Sequence, residues 1–430
     1  MNDQAVLTDE SVDMSGDSGS LNAEQGGRPT NSPPAKRLIQ TDSGSVLASG
    51  VDSLTVAVDF FWRDTSFFRV LDGLKTEAAA KECPMPGLIK SCDGQHEMAF
   101  EVKPFGKDGY SWVFTSPEFA IKLGNWTAPR SRPSAMIDFR SETLWIHGVV
   151  ESIDRIMTLL KSVGAMPASI KASRIDVCVD LLIQSPFWCR LLEEHVVTRA
   201  KAKCARGFGR GFSGLEIGGG ELRGRLYDKD LEIRMKSKKF WMYDIWNINE
   251  GELPEELRVI RIEFQLRREA LKELGIDSIW TFVNHPRNLW AYCTRCWLKF
   301  TDNPETETRF QVTLPFWKTV QEGFLGGQCG TPLIRAKAVN VKKKQLAHQM
   351  LGQLTSLIAI DSEEFAPELV MEHQLPLLTK SAALVGMDDA VLSEKVRRKQ
   401  GKYLKAIEKF MNAESMRKSA GLPTVGRPYA

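Results

Sequence analysis

Two short segments constrain this chain more than anything else in it. In Ser173-Arg174-Ile175-Asp176-Val177-Cys178-Val179-Asp180, two sets of side chains alternate from Arg174 onward, one apolar and the other carrying the charges. Side chains alternate faces along a strand, so Ile175, Val177 and Val179 enter a core while Arg174, Asp176, Cys178 and Asp180 share the opposite side. The stretch Arg261-Ile262-Glu263-Phe264-Gln265-Leu266-Arg267 has the same design, with Arg261, Glu263, Gln265 and Arg267 on one face. An amphipathic strand facing water carries the same alternation. Two strands that each present an Arg-x-acid triplet go further, because charges on a covered face are costly unless they are partnered. The pattern predicts two strands that feed one polar site.

Between them lies Gly218-Gly219-Gly220-Glu221-Leu222-Arg223-Gly224-Arg225-Leu226-Tyr227-Asp228-Lys229-Asp230-Leu231-Glu232. The glycines suit a tight hairpin turn, and no Gly-Lys-Ser/Thr follows to make a phosphate-binding loop. Arg223, Arg225, Tyr227 and Lys229 share a strand face. If a helical turn begins near Lys229, an i, i+3 relation brings Glu232 beside it. A phenol is a poor nucleophile at its reference pKa of about 10. Neighbouring cations stabilise phenolate, and a divalent metal polarises a phosphoryl oxygen. Hard cations such as Mg²⁺ prefer carboxylate oxygens, which Asp176, Asp180, Glu232 and Glu263 offer. Tyrosine, Arg/Lys and clustered acids therefore fit transesterification at a DNA phosphodiester, leaving a phosphotyrosyl link and a free 3′ hydroxyl.

The rest of the sequence frames this chemistry. Residues 1–50 hold no Phe, Trp or Tyr and carry seven acids against three bases. So little apolar surface cannot offset the entropy of ordering, and the stretch reads as a disordered leader. A strand-like opening follows at Leu54–Phe60, with further strands expected at Met98–Val102, Ser111–Phe114, Phe119–Lys122, Met136–Phe139 and Glu142–His147. Ser152–Val163 reads as a helix, Ile170–Leu182 as a strand, Glu193–Ala205 as a helix and Val259–Arg267 as a strand. Helical composition dominates beyond about 331, best at Gln345–Ile360 and Lys395–Glu414. Strands and helices without regular βα alternation predict an α+β fold, a largely antiparallel sheet with helices packed on it. The expected division is a leader over 1–50, a catalytic domain over 51–330 and a helical, basic C-terminal region over 331–430. Basic clusters at Arg335–Lys344 and Lys395–Lys405 suit phosphate neutralisation or a solvated helix face.

The motifs R-x-D-x-x-x-D, Y-D-K-x-x-E and R-x-E-F-Q-L-R, in this order and roughly at this spacing, resemble the trans-acting replication initiation factors. That family includes rolling-circle plasmid initiators, relaxases of integrative elements and replication proteins of some filamentous phages. The resemblance covers about residues 51–320. It implies that Tyr227 is a nicking nucleophile acting through a 5′-phosphotyrosyl intermediate. It implies a metal cluster drawn from Asp176, Asp180, Glu232 and Glu263, holding Mg²⁺ or Mn²⁺. Arg174, Arg225, Lys229 and Arg261 become phosphate or structural partners, with Arg225 and Lys229 beside the nucleophile. The function so implied is site-specific nicking and strand transfer that starts rolling-circle replication or mobilisation of a plasmid, phage or integrative element. A non-catalytic origin-binding or regulatory protein on the same fold is the alternative.

The remaining candidates concern partners. Arg223 and Arg267 extend the polar strand faces toward DNA. Lys236-Ser237-Lys238-Lys239-Phe240-Trp241-Met242-Tyr243 interleaves bases and aromatics, which either stacks unpaired bases and holds phosphates or forms an aromatic core helix with basic flanks. Its closeness to Tyr227 puts Lys236, Lys238 and Lys239 among the DNA contacts. All six His are isolated, so no His-hydrophobe-His metal motif exists, and Cys293-x-x-Cys296 lacks the second pair a zinc site needs. The expected partners are origin DNA, as a hairpin or single-stranded nick site, a second copy of the chain and a helicase. No long apolar run or secretory signal is present, which points to the cytoplasm.

Overall fold

The computed structural model describes residues 44–426 except 93, 186–189, 209–210, 303, 337–348, 354–355 and 357–388. Two long strands, β1 (Ser45–Trp62) and β7 (Ala165–Gln184), pair along nearly their whole length and form the centre of one sheet. On one side lie β2 (Met85–Lys90), β3 (Glu97–Val102), β4 (Trp112–Thr115), β5 (Phe119–Leu123) and β6 (Ala135–Phe139). On the other come β9 (Lys203–Phe208), β10 (Gly211–Gly219), β11 (Leu222–Asp228) and β12 (Leu257–Arg267). The eleven strands run in the order β2-β3-β4-β5-β6-β1-β7-β12-β11-β10-β9, and every neighbouring pair is antiparallel. The α+β class and the antiparallel sheet agree with the sequence reading.

Alternation explains why this face-to-face division is stable. Val56, Val58 and Phe60 of β1, Ile175, Val177 and Val179 of β7 and Ile262, Phe264 and Leu266 of β12 all enter one continuous core. Helices α1 (Ser66–Lys81) and α2 (Ser141–Ser162) contribute to it, as do α5 (Arg268–Glu273), α6 (Ile279–Asn284), α7 (Pro286–Ala291) and α8 (Pro315–Glu322). A second, smaller cluster packs Ala48, Cys178, Leu182 and Val259 of the polar sheet face against Trp145, Ile233, Met242, Tyr243 and Trp246. Most of its cover comes from the segment after β11: α3 (Lys229–Glu232), a π-type turn at Ile233–Ser237 and α4 (Met242–Trp246).

Three expectations change. The leader ends before residue 50, because Ser45–Gly50 already pair with β7, where Val46 faces Leu181 and Ala48 faces Asp180; residues 1–43 lie outside the described residues. Glu142–His147 is the first part of α2, not a strand. A non-helical glycine at Gly148 (φ 73°) breaks the helix there, so its two pieces read as separate elements, and an apolar run this short has no decisive period. Glu193–Ala205 is not a helix. A tight turn at Arg190–His195 leads into β8 (Val196–Thr198), which pairs with β13 (Leu298–Phe300). The β-branched run Val196-Val197-Thr198 satisfies its backbone against that distant partner, which outweighs local helix preference.

The C-terminal helix Asp389–Ser419 matches the expected Lys395–Glu414 element; most of the other predicted helix, Gln345–Ile360, falls outside the described residues. Leu333 and Leu422 both join the main core. No described helix is long and apolar enough to cross a membrane. Cys293 is buried, Cys296 half-buried, and both are free thiols.

Phe264 is fully buried, with its ring edge-on to Trp290 at 5.4 Å and Trp297 at 6.0 Å. Phe264→Ala is expected to lower unfolding free energy by about 3–5 kcal/mol, through lost transfer energy and the cavity left behind. Urea denaturation checks this, and a loss below about 1 kcal/mol would show that the site collapses freely or is not packed as described.

Candidate functional site on the polar face of the sheet

The register of three adjacent strands builds the site. Asp180 of β7 faces Arg261 of β12, which in turn faces Tyr227 of β11; Cys178 faces Glu263, which faces Arg225; Asp176 faces Gln265, which faces Arg223. Directly opposed side chains are about 5 Å apart at Cβ, and diagonal ones are within reach of long side chains. The order of residues along each strand therefore dictates who meets whom.

The inner part is a buried ionic cluster. Arg261 is fully buried and donates from Nε and Nη2 to the two oxygens of Asp180 at 2.6 and 2.7 Å. Its Nη1 donates to Asp52 at 2.7 Å. Trp246 Nε1 donates to Asp180 at 2.8 Å, and Ser141 and Trp145 donate to Asp52 at 2.9 and 3.2 Å. The guanidinium also lies over the Trp145 ring, 5.7 Å from its centroid. Burial alone would raise Asp52, but Arg261, Lys239 and Lys229 hold its carboxyl well below the usual range. Asp52 reaches this cluster because the β1–β7 register slips at that residue, between Val51 opposite Val177 and Ser53 opposite Asp176. A bulge of this kind re-aims one side chain. Asp52 lies outside the motifs from which the site was expected, although Val51 and Leu54, core residues three apart in a strand, already signal the break in parity.

The outer part holds the phenol. Tyr227 Oη donates to Glu263 at 2.9 Å, and Arg225 Nη2 donates to the other Glu263 oxygen at 2.5 Å. Arg225 also reaches Asp176 at 3.5 Å, whose two oxygens are taken by Arg174. Arg225 Nε is buried with no acceptor among the described residues. Burial and the Glu263 charge push the Tyr227 phenol well above its ordinary value, against the pull of Arg261. Burial and Glu263 likewise push Asp176 up to about 6, against Arg174 and Arg225. Gly214 sits opposite Tyr227, where a Cβ would stand 2.5 Å from the Leu226 carbonyl and 3.1 Å from Tyr227 Cβ. Only glycine leaves the Tyr227 backbone undisturbed there, a requirement invisible without the register.

Lys229 is nearly buried, donates to Glu232 at 2.7 Å and lies 5.6 Å from the Tyr227 ring centroid. The expected i, i+3 contact is therefore present, with Asp228 capping the turn through Leu231 N at 2.9 Å. Burial and Arg261 lower the Lys229 ammonium.

The four acids expected to bind metal are divided among different cations: Asp180 with Arg261, Asp176 with Arg174, Glu263 with Arg225, Glu232 with Lys229. Both oxygens of Asp180, Asp176 and Glu263 already accept hydrogen bonds, so the set as arranged does not fit a hard cation. Among the described residues no group of three or more His, Cys, Asp or Glu could hold a metal ion. Of the other candidates, Arg223 pairs with Glu216 at 3.1 Å, and Arg267 is exposed at the end of β12 opposite Arg174. Lys236 and Lys238 are exposed, and Lys239 is half-buried, 3.7 Å from Asp52. Met242, Tyr243 and Trp246 are buried in the smaller core cluster, Trp241 is half-buried against it, and Phe240 is exposed beside Lys238 and Lys239.

Comparison of the chain with protein-family models, with characterised proteins and with solved structures finds no match.

Two outcomes follow from the electrostatics. Arg261→Met leaves the buried Asp180 and the half-buried Asp52 without their shared cation and is expected to destabilise the fold by about 3–5 kcal/mol in urea unfolding; a loss under about 1 kcal/mol would mean the cluster is solvated. Asp176 holds its proton more tightly in the fold than in the unfolded chain, where an Asp titrates near 3.9. Its contribution to stability is therefore present below about pH 4 and is lost, by on the order of 2–3 kcal/mol, as pH rises through about 6. Asp176→Asn should remove that decline from a series of urea midpoints between pH 4 and 7. An identical decline in the variant would assign it to another group.

Proposed function

We propose that this protein cuts one strand of DNA by transesterification, with Tyr227 as the nucleophile, and so starts replication or mobilisation of a mobile genetic element. The observation that carries the reading is the Tyr227 phenol hydrogen-bonded to Glu263 beside Arg225, whose Nε has no acceptor among the described residues. In the proposed step the phenol oxygen attacks phosphorus, its proton passes to Glu263, the bond from phosphorus to the 3′ oxygen breaks, and that oxygen takes a proton from solvent. The 5′ phosphate stays on Tyr227 with its bond energy retained for rejoining. Arg225 and Arg174 supply charge toward the phosphate oxygens, the role of preorganised donors at a developing charge. Because the resting phenol is held protonated, the proton has to leave as the new bond forms, which makes an adjacent carboxylate acceptor necessary.

A second reading is favoured by the complete pairing of the carboxylates. A sheet face whose acids are all neutralised by Arg or Lys also suits a stable, non-catalytic origin-binding or regulatory protein. The two readings part on covalent chemistry.

Incubating the protein with DNA flanking its own gene, with and without Mg²⁺ or Mn²⁺, should give a DNA-linked peptide containing Tyr227 by mass spectrometry. Tyr227→Phe should lose the adduct while losing only about 1 kcal/mol of stability, the net worth of one hydrogen bond. Glu263→Gln should slow adduct formation by about 10²–10⁴-fold, the usual contribution of a general base. An adduct that persists in Tyr227→Phe would move the chemistry to another residue. No adduct in the wild type, with sequence-selective duplex binding retained, would favour the second reading.

A further inference from the structure

Among the described residues, the buried anchors of the C-terminal helix Asp389–Ser419 lie in its last turns. Arg417 is fully buried and donates to the Glu273 carbonyl at 2.5 Å and to the Ile334 carbonyl at 2.6 Å, while pairing with Glu414. Phe410 and Leu422 are buried beside it. Upstream of Phe410 no described residue of the helix is buried, over a length of about 30 Å at 1.5 Å per residue. Between Glu394 and Lys409 this projecting part has seven bases and two acids, 7 − 2 = +5.

The bases are ordered. Lys395, Arg398, Lys402, Lys405 and Lys409 recur at steps of three and four, which puts all five on one arc of about 80° at 100° per residue, and all are exposed. Consecutive members are about 5 Å apart along the axis. Like charges at i, i+3 and i, i+4 repel, as Arg398, Lys402, Lys405 and Lys409 do along this exposed face; Arg397, off the stripe, pairs with Glu394 at 3.2 Å. Among the described residues this face of the helix is exposed, and a polyanion laid along it would relieve the repulsion.

We propose that this stripe is a docking surface for the phosphate backbone of duplex DNA, separate from the Tyr227 site. Charge complementarity selects the occupant. Duplex DNA carries one negative charge per about 1.7 Å of axis, and its major groove is wide enough for one helix. That the duplex is DNA rests on the nicking reading; the charge argument does not.

The test measures binding of the full chain to a 20-base-pair mixed-sequence duplex by fluorescence anisotropy between 50 and 200 mM KCl. The triple variant Arg398→Gln, Lys402→Gln, Lys405→Gln is compared with Lys81→Gln, Lys90→Gln, Lys107→Gln, which removes the same charge from exposed positions elsewhere. The stripe variant should flatten the slope of log affinity against log salt by about 2–3, at about 0.9 for each phosphate no longer neutralised, with unchanged circular dichroism. The matched variant should change it by less than about 1. Equal effects of the two variants, or an unchanged slope, would overturn the proposal. So would a stripe variant that loses only its binding to phosphatidylglycerol vesicles, which would give the helix to a membrane surface. Repeating the titration in the Tyr227→Phe background separates the two ideas, since duplex docking requires no covalent step.

Discussion

Everything on the polar face depends on where one guanidinium sits. Arg261 is held by Asp180 on the adjacent strand and by Asp52 one strand further, so a single cation ties β12, β7 and β1 together at one level of the sheet. Its cost of desolvation is high, and only complete hydrogen bonding makes it tolerable. The aromatic cover of Trp145 and Trp246, with Met242 beside them, keeps water from the ion pair. With Arg261 fixed, Tyr227 opposite it and Glu263 two residues along acquire fixed positions as well.

The same arrangement explains why the phenol and the acids behave as a coupled set. A buried carboxylate next to another carboxylate is pushed toward its neutral form, and cations between them pull the other way. Asp176 and Glu263 share Arg225, so a phosphate that draws Arg225 outward changes the charge balance at both. On the outer side of the cluster Tyr227 and Arg225 are half-buried, with Arg225 shared between two acids, and on the inner side Arg261 and Asp180 are fully buried and fully paired. Burial increases from Tyr227 at the margin to Asp180 on the inner side, a gradient the proposed reaction would use by exchanging partners at the rim and keeping the inner ion pairs in place.

Much of this was legible in the sequence because strands have a period of two. The alternation in 174–180 and 261–267 placed the right residues on one face, and the step from Tyr227 to Lys229 and Glu232 correctly anticipated a strand that ends in a helical turn. Pairing was not legible. Arg174 and Asp176 are neighbours on one strand face and pair locally, but nothing local says that Asp180 binds Arg261 or that Glu263 binds Arg225, because those choices are made by register between strands some forty to eighty residues apart. Asp52 was missed since a bulge, which breaks parity, brought it in. The helix from Ser141 was hidden by its break at Gly148, and the strand at Val196 is stabilised by β13, a hundred residues away.

The central claim is that Tyr227 rests as a protonated phenol donating to the Glu263 carboxylate. It is tested most directly by NMR of protein carrying ¹³C at tyrosine Cζ, with the Tyr227 signal assigned by its loss in Tyr227→Phe. Raised through pH 10 to 11, the Tyr227 signal of the folded protein should stay in its phenol position, while tyrosine in the urea-unfolded chain titrates near 10. In Glu263→Gln it should titrate lower than in the wild type, since a neighbouring negative charge has been removed. A wild-type Tyr227 that titrates at or below about 10, indifferent to Glu263→Gln, would contradict the account.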